Sequence, residues 1–280
     1  MGADSKIEWT DHTFNPWIGC TKVSPGCDHC YAENMAKRYG WAEWGIGKPR
    51  RRTSGANWVA PLRWDVRAKT TGRRLRVFCA SLADVFDNEV PPEWRLDLWS
   101  LIDSTPNLDW LLLTKRIGNV GKMAKSNWWL DGWPANVWLG ISVVNQEEAD
   151  RDIPKLLAVP ARVRFLSCEP LLGPIDLKRW MGNLPWDSEL NLDWVIVGGE
   201  SGGAARPMSP QWARDLRDQC ADFNIPFFFK QWGEYVSVSE VAGTGAHYKF
   251  PDGRTVRRVG KKLAGRLLDG REWNQFPVSP

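Results

Sequence analysis

The chain has 280 residues, of which 43% are hydrophobic and 25% charged, so it can fold around one large core or two smaller ones. Its net charge of +4 allows an anionic partner without requiring one, and no apolar run reaches the roughly eighteen residues of a membrane span. Six cysteines without a recognisable secretory leader favour a reducing compartment over a disulfide framework. We therefore expect a cytoplasmic protein with no membrane contact, and nothing in the sequence demands more than a monomer.

The first predicted elements flank a cysteine-rich loop. Residues 13–18 are predicted to form the first strand, and Tyr31–Tyr39 a helix, because its acidic residue lies early and its basic residues late, as the helix dipole favours. From residue 40 to residue 74 the periodicity fails, which predicts an irregular insertion. The basic run at residues 48–52 inside it is either a solvated surface or a patch that contacts the backbone of a nucleic acid.

A repeated pattern of strands and helices follows. Short apolar runs suited to buried strands lie at residues 77–80, 110–113, 137–141, 163–166, 194–197 and 226–229. Stretches of helical composition between them lie at residues 92–102, 146–157 and 210–222. Successive strands start roughly 26–34 residues apart, which is the length of a strand–helix–strand unit. The sequence therefore predicts the α/β class, as a partial or full TIM-like (β/α) barrel of about six to seven parallel strands over residues 1–235.

Polar residues follow nearly every predicted strand. Active sites of such barrels collect at the carboxyl ends of the strands, so we expect these side chains to face one site. They are Ser81 and Asp84, then Thr114, Lys115 and Arg116, then Ser142 and Asn145, Cys168 and Glu169, Glu200 and Ser201, and Lys230 and Gln231. Plainer interpretations stay open, since Asp84 or Asp87 could cap a helix and Cys168 could be a buried structural cysteine. The glycine pair before Glu200 suits either close approach of a ligand or an ordinary turn.

The pattern changes beyond residue 235. A turn signal, Pro251-Asp252-Gly253, is expected to join two short strands. Basic residues are frequent after it and alternate with apolar ones, so residues 236–280 are predicted to form a basic C-terminal appendage packed on the barrel. Its basic face is either a solvated surface or a phosphate contact.

The most specific signal is a triplet of cysteines in a tight Pro-Gly loop. Cys20, Cys27 and Cys30 are separated by six and two residues, close enough to reach one metal centre but one ligand short of four. A structural zinc site would need His29 or a distant cysteine as its fourth ligand, and disulfides are disfavoured by the compartment. Three cysteines on three irons of a [4Fe–4S] cluster, with the fourth iron open to a small molecule, fit the count best.

Short blocks spread over nearly the whole chain resemble a phage-associated family with a three-cysteine motif. Besides the cysteine loop, the blocks are IEWT (7–10), NPW (15–17), YAE (31–33), FCASLADVFD (78–87), LLLTKR (111–116), FLSCEPLLGP (165–174), VGGESG (197–202), FKQWGE (229–234) and AGRLLDGREW (264–273). That family in turn resembles radical S-adenosylmethionine (SAM) enzymes, most closely the spore photoproduct lyase branch. The resemblance implies a phage or prophage origin.

The resemblance also implies a reaction. Cys20, Cys27 and Cys30 would hold a [4Fe–4S] cluster that binds SAM and, after one-electron reduction by a donor such as flavodoxin or ferredoxin, cleaves it to a 5′-deoxyadenosyl radical. Cys168 would give a hydrogen atom to a substrate radical, with Glu169 as a second catalytic candidate. Residues expected to contact SAM are Ser81, Asp84, Thr114, Lys115, Ser142, Glu169 and Glu200. The implied substrate is a nucleic acid that is repaired or modified at a base.

Two departures from the radical SAM pattern are visible. Most of those enzymes separate their first two cysteines by three residues and place an aromatic residue before the third, whereas this chain has six residues and His29. Their Gly-Gly-Glu follows the second strand, whereas Gly198-Gly199-Glu200 follows a much later one. The alternative interpretation is therefore an accessory factor that binds nucleic acid or protein and carries a structural zinc or a non-catalytic iron–sulfur site.

Overall fold

The computed structural model describes residues 5–182 and 191–278, and the chain divides into two compact units. Unit 1 contains the chain up to Ile141 together with Val159–Val163, and unit 2 contains Ser142–Ala158 and Arg164–Val278. Because the predicted boundary at residue 235 falls inside unit 2, the C-terminal appendage belongs to the same compact unit as the later strands.

Unit 1 is built on four parallel strands. Its elements in chain order are β1 (His12–Thr13), β2 (Trp17–Ile18), α1 (Tyr31–Tyr39), β3 (Arg51–Arg52), α2 (Gly55–Thr71), β4 (Leu75–Cys79), α3 (Pro92–Asp103), β5 (Leu108–Thr114), α4 (Val120–Met123), α5 (Ser126–Leu130) and β6 (Val137–Ser142), whose last residue falls in unit 2. The parallel strands are ordered β1-β4-β5-β6, with Val77 opposite both His12 and Trp110. Strands β4, β5 and β6 are almost entirely buried, as expected for parallel strands covered on both faces.

Unit 2 combines a parallel and an antiparallel sheet. Its elements are α6 (Gln146–Leu157), β7 (Arg164–Cys168), β8 (Trp194–Gly198), α7 (Pro210–Asp222), β9 (Phe227–Gln231), β10 (Tyr235–Val236), β11 (Ala246–Lys249), β12 (Thr255–Arg258) and α8 (Lys261–Ala264). Strands β7, β8 and β9 pair in parallel, and β10, β12 and β11 form an antiparallel sheet. The α/β class is confirmed, and among the described residues the six parallel strands β4 to β9 lie at the predicted positions, whereas β1 shares only Thr13 with the predicted first strand. The hairpin predicted around Pro251-Asp252-Gly253 is the β11–β12 pair.

The predicted first strand is wrong in its extent. It breaks into β1 and β2, which are separated by Phe14, Asn15 and Pro16. Pro16 has no N–H to donate to a ladder, and the Asn15 Oδ1 instead accepts a hydrogen bond from the Leu82 N–H at 2.7 Å. Strand β2 then pairs with β3 in the antiparallel sense rather than continuing the parallel sheet. An apolar run thus marks the right place, but a proline and a side-chain amide divide it.

The predicted irregular insertion at residues 40–74 is wrong for residues 55–71, because about half of it is helix α2. Ser54 caps this helix by accepting a hydrogen bond from the Asn57 N–H, and Gly72 ends it in the left-handed conformation at φ 64°. Only Pro61, Trp64 and Ala68 are buried, so one narrow stripe faces the protein. That stripe has helical spacing, but Pro61 and the scattered tryptophans mask it in the sequence.

The basic run at residues 48–52 is neither a uniform solvated surface nor an open patch. Arg50 is buried, with its Nε donating to Asp87 Oδ2 at 2.8 Å. Arg52 pairs with Asp97 at 2.7 Å and lies over the Trp58 ring. These two guanidinium groups bind partners inside unit 1, whereas Lys48 and Arg51 are exposed, and the nucleic-acid contact considered for the run stays a prediction.

The C-terminal segment packs on the last parallel strand. The Phe229 N–H donates to the Trp273 carbonyl at 3.0 Å, and the Phe227 N–H donates to Gln275 Oε1 at 2.9 Å. The Phe276 ring lies 5.4 Å from the Trp194 ring. Residues 273–276 therefore add to the β9 edge of unit 2. No helix in the described parts of the chain is both long enough and apolar enough to cross a bilayer.

Candidate cysteine site and strand-end residues

The three cysteines of the triplet differ from the other three in exposure. Cys20, Cys27 and Cys30 are partly exposed, whereas Cys79, Cys168 and Cys220 are buried, and all six carry free thiols. The loop begins after β2, where Gly19 at φ 113° provides a conformation that other residues rarely adopt. Only the triplet therefore offers sulfur atoms to a ligand from solvent.

The local fold of the loop explains where the second and third cysteines lie. Pro25–Cys27 forms a 3-10 turn, and the Ser24 Oγ caps it by accepting a hydrogen bond from the Gly26 N–H at 3.0 Å. Cys30 is the N-cap of α1, so its sulfur lies where the helix presents unpaired N–H groups.

Burial and neighbouring charged and polar groups set the pKa of the Cys30 thiol. Burial raises the pKa of the Cys30 thiol, and negative charge on Cys27 raises it further. The backbone N–H groups of Glu33 and Ala32 and the positive charge of Lys115 oppose that rise in pKa. The half-buried Lys115 ammonium makes no hydrogen bond or ion pair with any residue that the structure describes. It is thus a cation within electrostatic reach of the loop and available to an anionic ligand.

Cys20 has a different environment, dominated by one arginine. The Arg116 Nη1 donates to the Cys20 Sγ at 3.3 Å, and its Nη2 donates to the Thr21 carbonyl at 2.6 Å. Burial and the nearby Asp84 carboxylate raise the pKa of Cys20 to about 12, while Arg116 opposes the rise. Arg116 is itself buried at 9% exposure, so it contacts the sulfur from the protein side.

Asp84 holds this arginine and the ends of two strands together. Its Oδ2 accepts hydrogen bonds from Arg116 Nη1 at 3.1 Å and from the Lys115 N–H at 3.0 Å. Its Oδ1 accepts from the Thr114 hydroxyl at 2.8 Å and from the Phe86 N–H at 2.9 Å. These four bonds use the acceptor positions of the carboxylate, and the Thr114 hydroxyl also accepts from the Arg116 N–H. The SAM contacts predicted for Asp84 and Thr114 stay predictions, and the geometry gives both residues a positioning role.

A second buried arginine fixes the start of the loop. The Arg50 Nη2 donates to the Thr21 hydroxyl at 2.7 Å, and its Nε binds Asp87. The same guanidinium pairs with Glu89, which also accepts a hydrogen bond from the Thr21 hydroxyl. The segment after β4, the basic run and the cysteine loop are thus joined by charged hydrogen bonds within unit 1. Ser81, also predicted to contact SAM, exchanges hydrogen bonds with the Asn15 side chain at the edge of this network.

The donor set of the loop is three partly exposed thiols, which is the number of protein ligands on a [4Fe–4S] cluster with one open iron. No three histidine, cysteine or acidic side chains among the described residues are arranged to hold a single ion. Zinc needs its ligands to converge on one point, whereas a cluster spreads three thiolates over three irons. Three accessible thiols beside Arg116 and Lys115 also match the negative charge that such a ligand set acquires.

Unit 2 brings its own strand-end residues together. The Lys230 Nζ donates to Glu169 Oε2 at 2.7 Å, and the Gln231 Nε2 donates to Glu169 Oε1 at 2.9 Å and to the Ser201 Oγ at 3.1 Å. Glu169 follows β7, Ser201 follows β8, and Lys230 and Gln231 end β9. These strand-end residues of unit 2 therefore contact one another, and the single site expected for all the strand-end residues stays a prediction. Glu169 keeps a side-chain exposure of 18%, so a ligand can reach it.

Other predicted site residues of unit 2 either bind neighbouring residues of the protein or are buried. Glu200 receives three hydrogen bonds from Arg206, and Asn145 caps α6 by accepting from the Glu148 N–H. Ser142 is 5% exposed and Cys168 is fully buried. Burial also raises the pKa of Cys168 to about 12, which suits a structural thiol, and its hydrogen-donor role stays a prediction.

The glycine pair before Glu200 has a packing explanation. A Cβ on Gly199 would lie 1.9 Å from the Trp232 carbonyl oxygen, and one on Gly233 would lie 2.2 Å from the Glu200 carbonyl oxygen. The close approach is therefore made by the backbone after β9 rather than by a ligand.

Sequence reasoning missed several residues of the cysteine site. Arg50 was assigned to a surface run, and Arg116 was placed after a strand without a role. Asp87 is considered from the sequence only as a helix cap and not as the partner of a buried arginine. A weak signal is available, because Asp84 and Asp87 lie in the segment after β4 and Arg116 lies two residues after β5, and the carboxyl ends of these strands adjoin in a parallel sheet.

These features define an α/β protein with a three-cysteine loop after its first strands. The sequence belongs to the DUF5131 family, described as a protein of unknown function, whose model matches residues 4–277. No curated protein matches it.

Solved structures of spore photoproduct lyase are similar to the chain at low identity. The enzyme complexed with dinucleoside spore photoproduct is 8% identical with a TM-score of 0.45, and a cysteine-to-serine mutant is 12% identical with a TM-score of 0.47. A mutant with dinucleoside spore photoproduct is 9% identical with a TM-score of 0.48. Each alignment covers 92% of this chain and 70–71% of the other. At these values, what the lyase binds and does is a property of that enzyme and carries no argument about this chain.

Proposed function

We propose that this chain is a radical SAM enzyme whose Cys20, Cys27 and Cys30 hold a [4Fe–4S] cluster. The observation that carries the proposal is the environment of the triplet, which alone among the cysteines is accessible, with the Arg116 guanidinium on one sulfur and the Lys115 charge near another. The loop spacing and the blocks shared with a three-cysteine family support the same assignment. When bound, the cluster and SAM supply one-electron cleavage of SAM.

The residues of the chain have separate tasks in this proposal. The three cysteines bind the cluster, and Asp84 and Arg116 hold the first of them in place. Lys115 binds the SAM carboxylate, because its ammonium is free among the described residues and lies within electrostatic reach of Cys30. Burial of the surrounding network keeps water from these charges and strengthens their interactions.

Anaerobic reconstitution followed by iron, sulfide and zinc analysis tests the cluster. We expect about four irons per chain, the number in a [4Fe–4S] cluster, and broad visible absorbance, both lost in Cys20→Ala, Cys27→Ala and Cys30→Ala. Cys220→Ala is the matched control, since Cys220 is a buried cysteine of α7 and should leave iron content unchanged. One zinc per chain without iron would refute the enzyme and leave a metal-binding accessory factor.

Product analysis tests the reaction. Reduced holoprotein incubated with SAM should release 5′-deoxyadenosine, and Lys115→Ala should raise the SAM concentration needed for half-maximal release. Lys155→Ala is a suitable control because Lys155 already pairs with Asp152 on the surface of unit 2. A cluster protein that never releases 5′-deoxyadenosine under dithionite would be a non-catalytic iron–sulfur protein. Flavodoxin or ferredoxin is the proposed natural donor, and either should replace dithionite.

A nucleic acid is the proposed substrate class. The motif resemblance and the net charge of +4 support it, as do Lys261 and Lys262 of α8, which are exposed and have no ion-pair partner among the described residues. Fluorescence anisotropy with a single-stranded oligonucleotide should show binding that weakens with salt. Lys261→Glu with Lys262→Glu should weaken it further, and equal binding by this variant would remove α8 from the interface.

A further inference from the structure

We propose that Arg116 is a positioning residue that fixes the Cys20 sulfur and raises the reduction potential of the centre that this sulfur ligates. The inference rests on the proposed function for its redox part, while the contact itself is independent of any cluster. It assigns a role to a residue that neither the cysteine motif nor the predicted SAM contacts include.

The contact has the geometry of a fixed fork. One nitrogen of the guanidinium donates to the Cys20 Sγ and the other to the carbonyl of the next residue, Thr21. Because the guanidinium is planar and rigid, the two bonds together orient both the sulfur and the peptide that follows it. A lysine could supply the charge at this place but not both directed bonds.

The guanidinium cannot turn away from the sulfur without losing its hydrogen bonds to Asp84 and to the Thr21 carbonyl. Asp84 Oδ2 accepts from the same nitrogen that contacts Cys20, and Asp84 is itself held by Phe86, Thr114 and Lys115. The side chains of Arg116 and Asp84 are each 7% exposed, so solvent cannot replace these partners. The contact is therefore part of the buried network and not an incidental surface approach.

The environments of the other two sulfurs differ. Cys30 lies at the N-cap of α1, near the backbone N–H groups of the first turn, and Cys27 lies in the 3-10 turn. Among the described residues, only Cys20 receives a hydrogen bond from a charged side chain. A positive group bonded to a thiolate stabilises the more negative, reduced state, so it raises the reduction potential.

A double-mutant cycle in the apoprotein tests the contact without any cluster. Arg116→Gln and Cys20→Ala each change the unfolding equilibrium constant by some factor. The factor measured for the double variant should differ from the product of the two single factors by at least about twofold, as expected for residues in direct contact. The same cycle with Arg95→Gln is the control, since Arg95 is also buried but donates to the Val85 and Asp87 carbonyls and not to a sulfur. Independent effects of Arg116 and Cys20 would overturn the proposal.

A redox titration of reconstituted protein, followed by electron paramagnetic resonance, tests the potential. Arg116→Gln should shift the midpoint to a more negative value, Arg116→Lys should recover part of the shift, and Arg95→Gln should show none. Equal potentials in all four proteins would overturn the proposal while leaving the enzyme assignment intact. If the wild-type protein forms no cluster, the proposed function and the redox role both fail. Arg116→Lys also serves if the glutamine variant does not fold.

Discussion

Replacing Gly199 with alanine should lower the unfolding free energy of unit 2, because the added Cβ would clash with the backbone at Trp232. The added Cβ would lie 1.9 Å from the Trp232 carbonyl oxygen and 2.7 Å from its carbon, about 1.5 Å short of ordinary contact at 3.4 Å. Both atoms belong to the backbone, so no side chain can rotate away. Ordinary overpacking costs about 1–3 kcal/mol, and a backbone clash of this size should cost at least the upper end, about 3 kcal/mol.

The assay is urea unfolding followed by tryptophan fluorescence and far-ultraviolet circular dichroism. Gly203→Ala is the matched control, because Gly203 lies four residues away and its Cβ would meet nothing within 4 Å. We expect Gly203→Ala to change the free energy of unfolding by less than about 1 kcal/mol. The reasoning would be refuted if Gly199→Ala were as stable as Gly203→Ala, since the two backbones after β8 and β9 would then not be in contact.

Three further predictions concern charged groups. Asp84→Ala removes the partner of a buried guanidinium and should cost about 3–5 kcal/mol in unfolding free energy, with less iron retained per chain. Lys230→Met leaves Glu169 with Gln231 alone and should cost about 1.5–3 kcal/mol, measured by urea unfolding at pH 7; an unchanged midpoint would show that the pair is not formed. Hydrogen bonds and charge from Arg76 outweigh burial and hold the pKa of Asp11 below its usual value. The stabilisation by Asp11 is therefore present above the unfolded pKa, near 4, and is lost as the pH falls through the lower folded pKa. Between pH 5 and pH 3 the wild-type protein should lose more stability than Asp11→Asn, and parallel curves would contradict the assignment.

Much of the secondary structure follows from local patterns in the sequence. The strands from β4 to β9 coincide with continuous apolar runs, because parallel strands bury both faces. Helices α6 and α7 have the predicted bounds, since Asn145 and Ser209 precede periodic apolar positions. The cysteine loop is likewise visible from spacing alone. These signals are local, and neighbouring residues are enough to produce them.

The errors arise where a tertiary contact decides the local conformation. The apolar run at residues 13–18 would suit one strand, but Asn15 binds Leu82, which lies 67 residues away in the sequence. Helix α2 has its caps and a buried stripe, yet its amphipathic pattern is weak because the surrounding positions also carry tryptophan and valine. The sequence favours a surface position for Arg50 in the basic run. Arg50 is buried instead, because it forms ion pairs with Asp87 and Glu89 that neutralise its charge.

The sequence by itself determined the class of fold, the positions of the parallel strands β4 to β9 and the spacing of the three cysteines. Tertiary structure alone decided which groups surround those sulfurs. Arg116 and Cys20 are 96 residues apart, and Asp84 joins them only because β4 and β5 lie side by side in parallel. Periodicity and spacing report the burial of a residue and its near neighbours along the chain. The partner of a buried charge depends on which strand ends adjoin, and that information exists only once the sheet has formed.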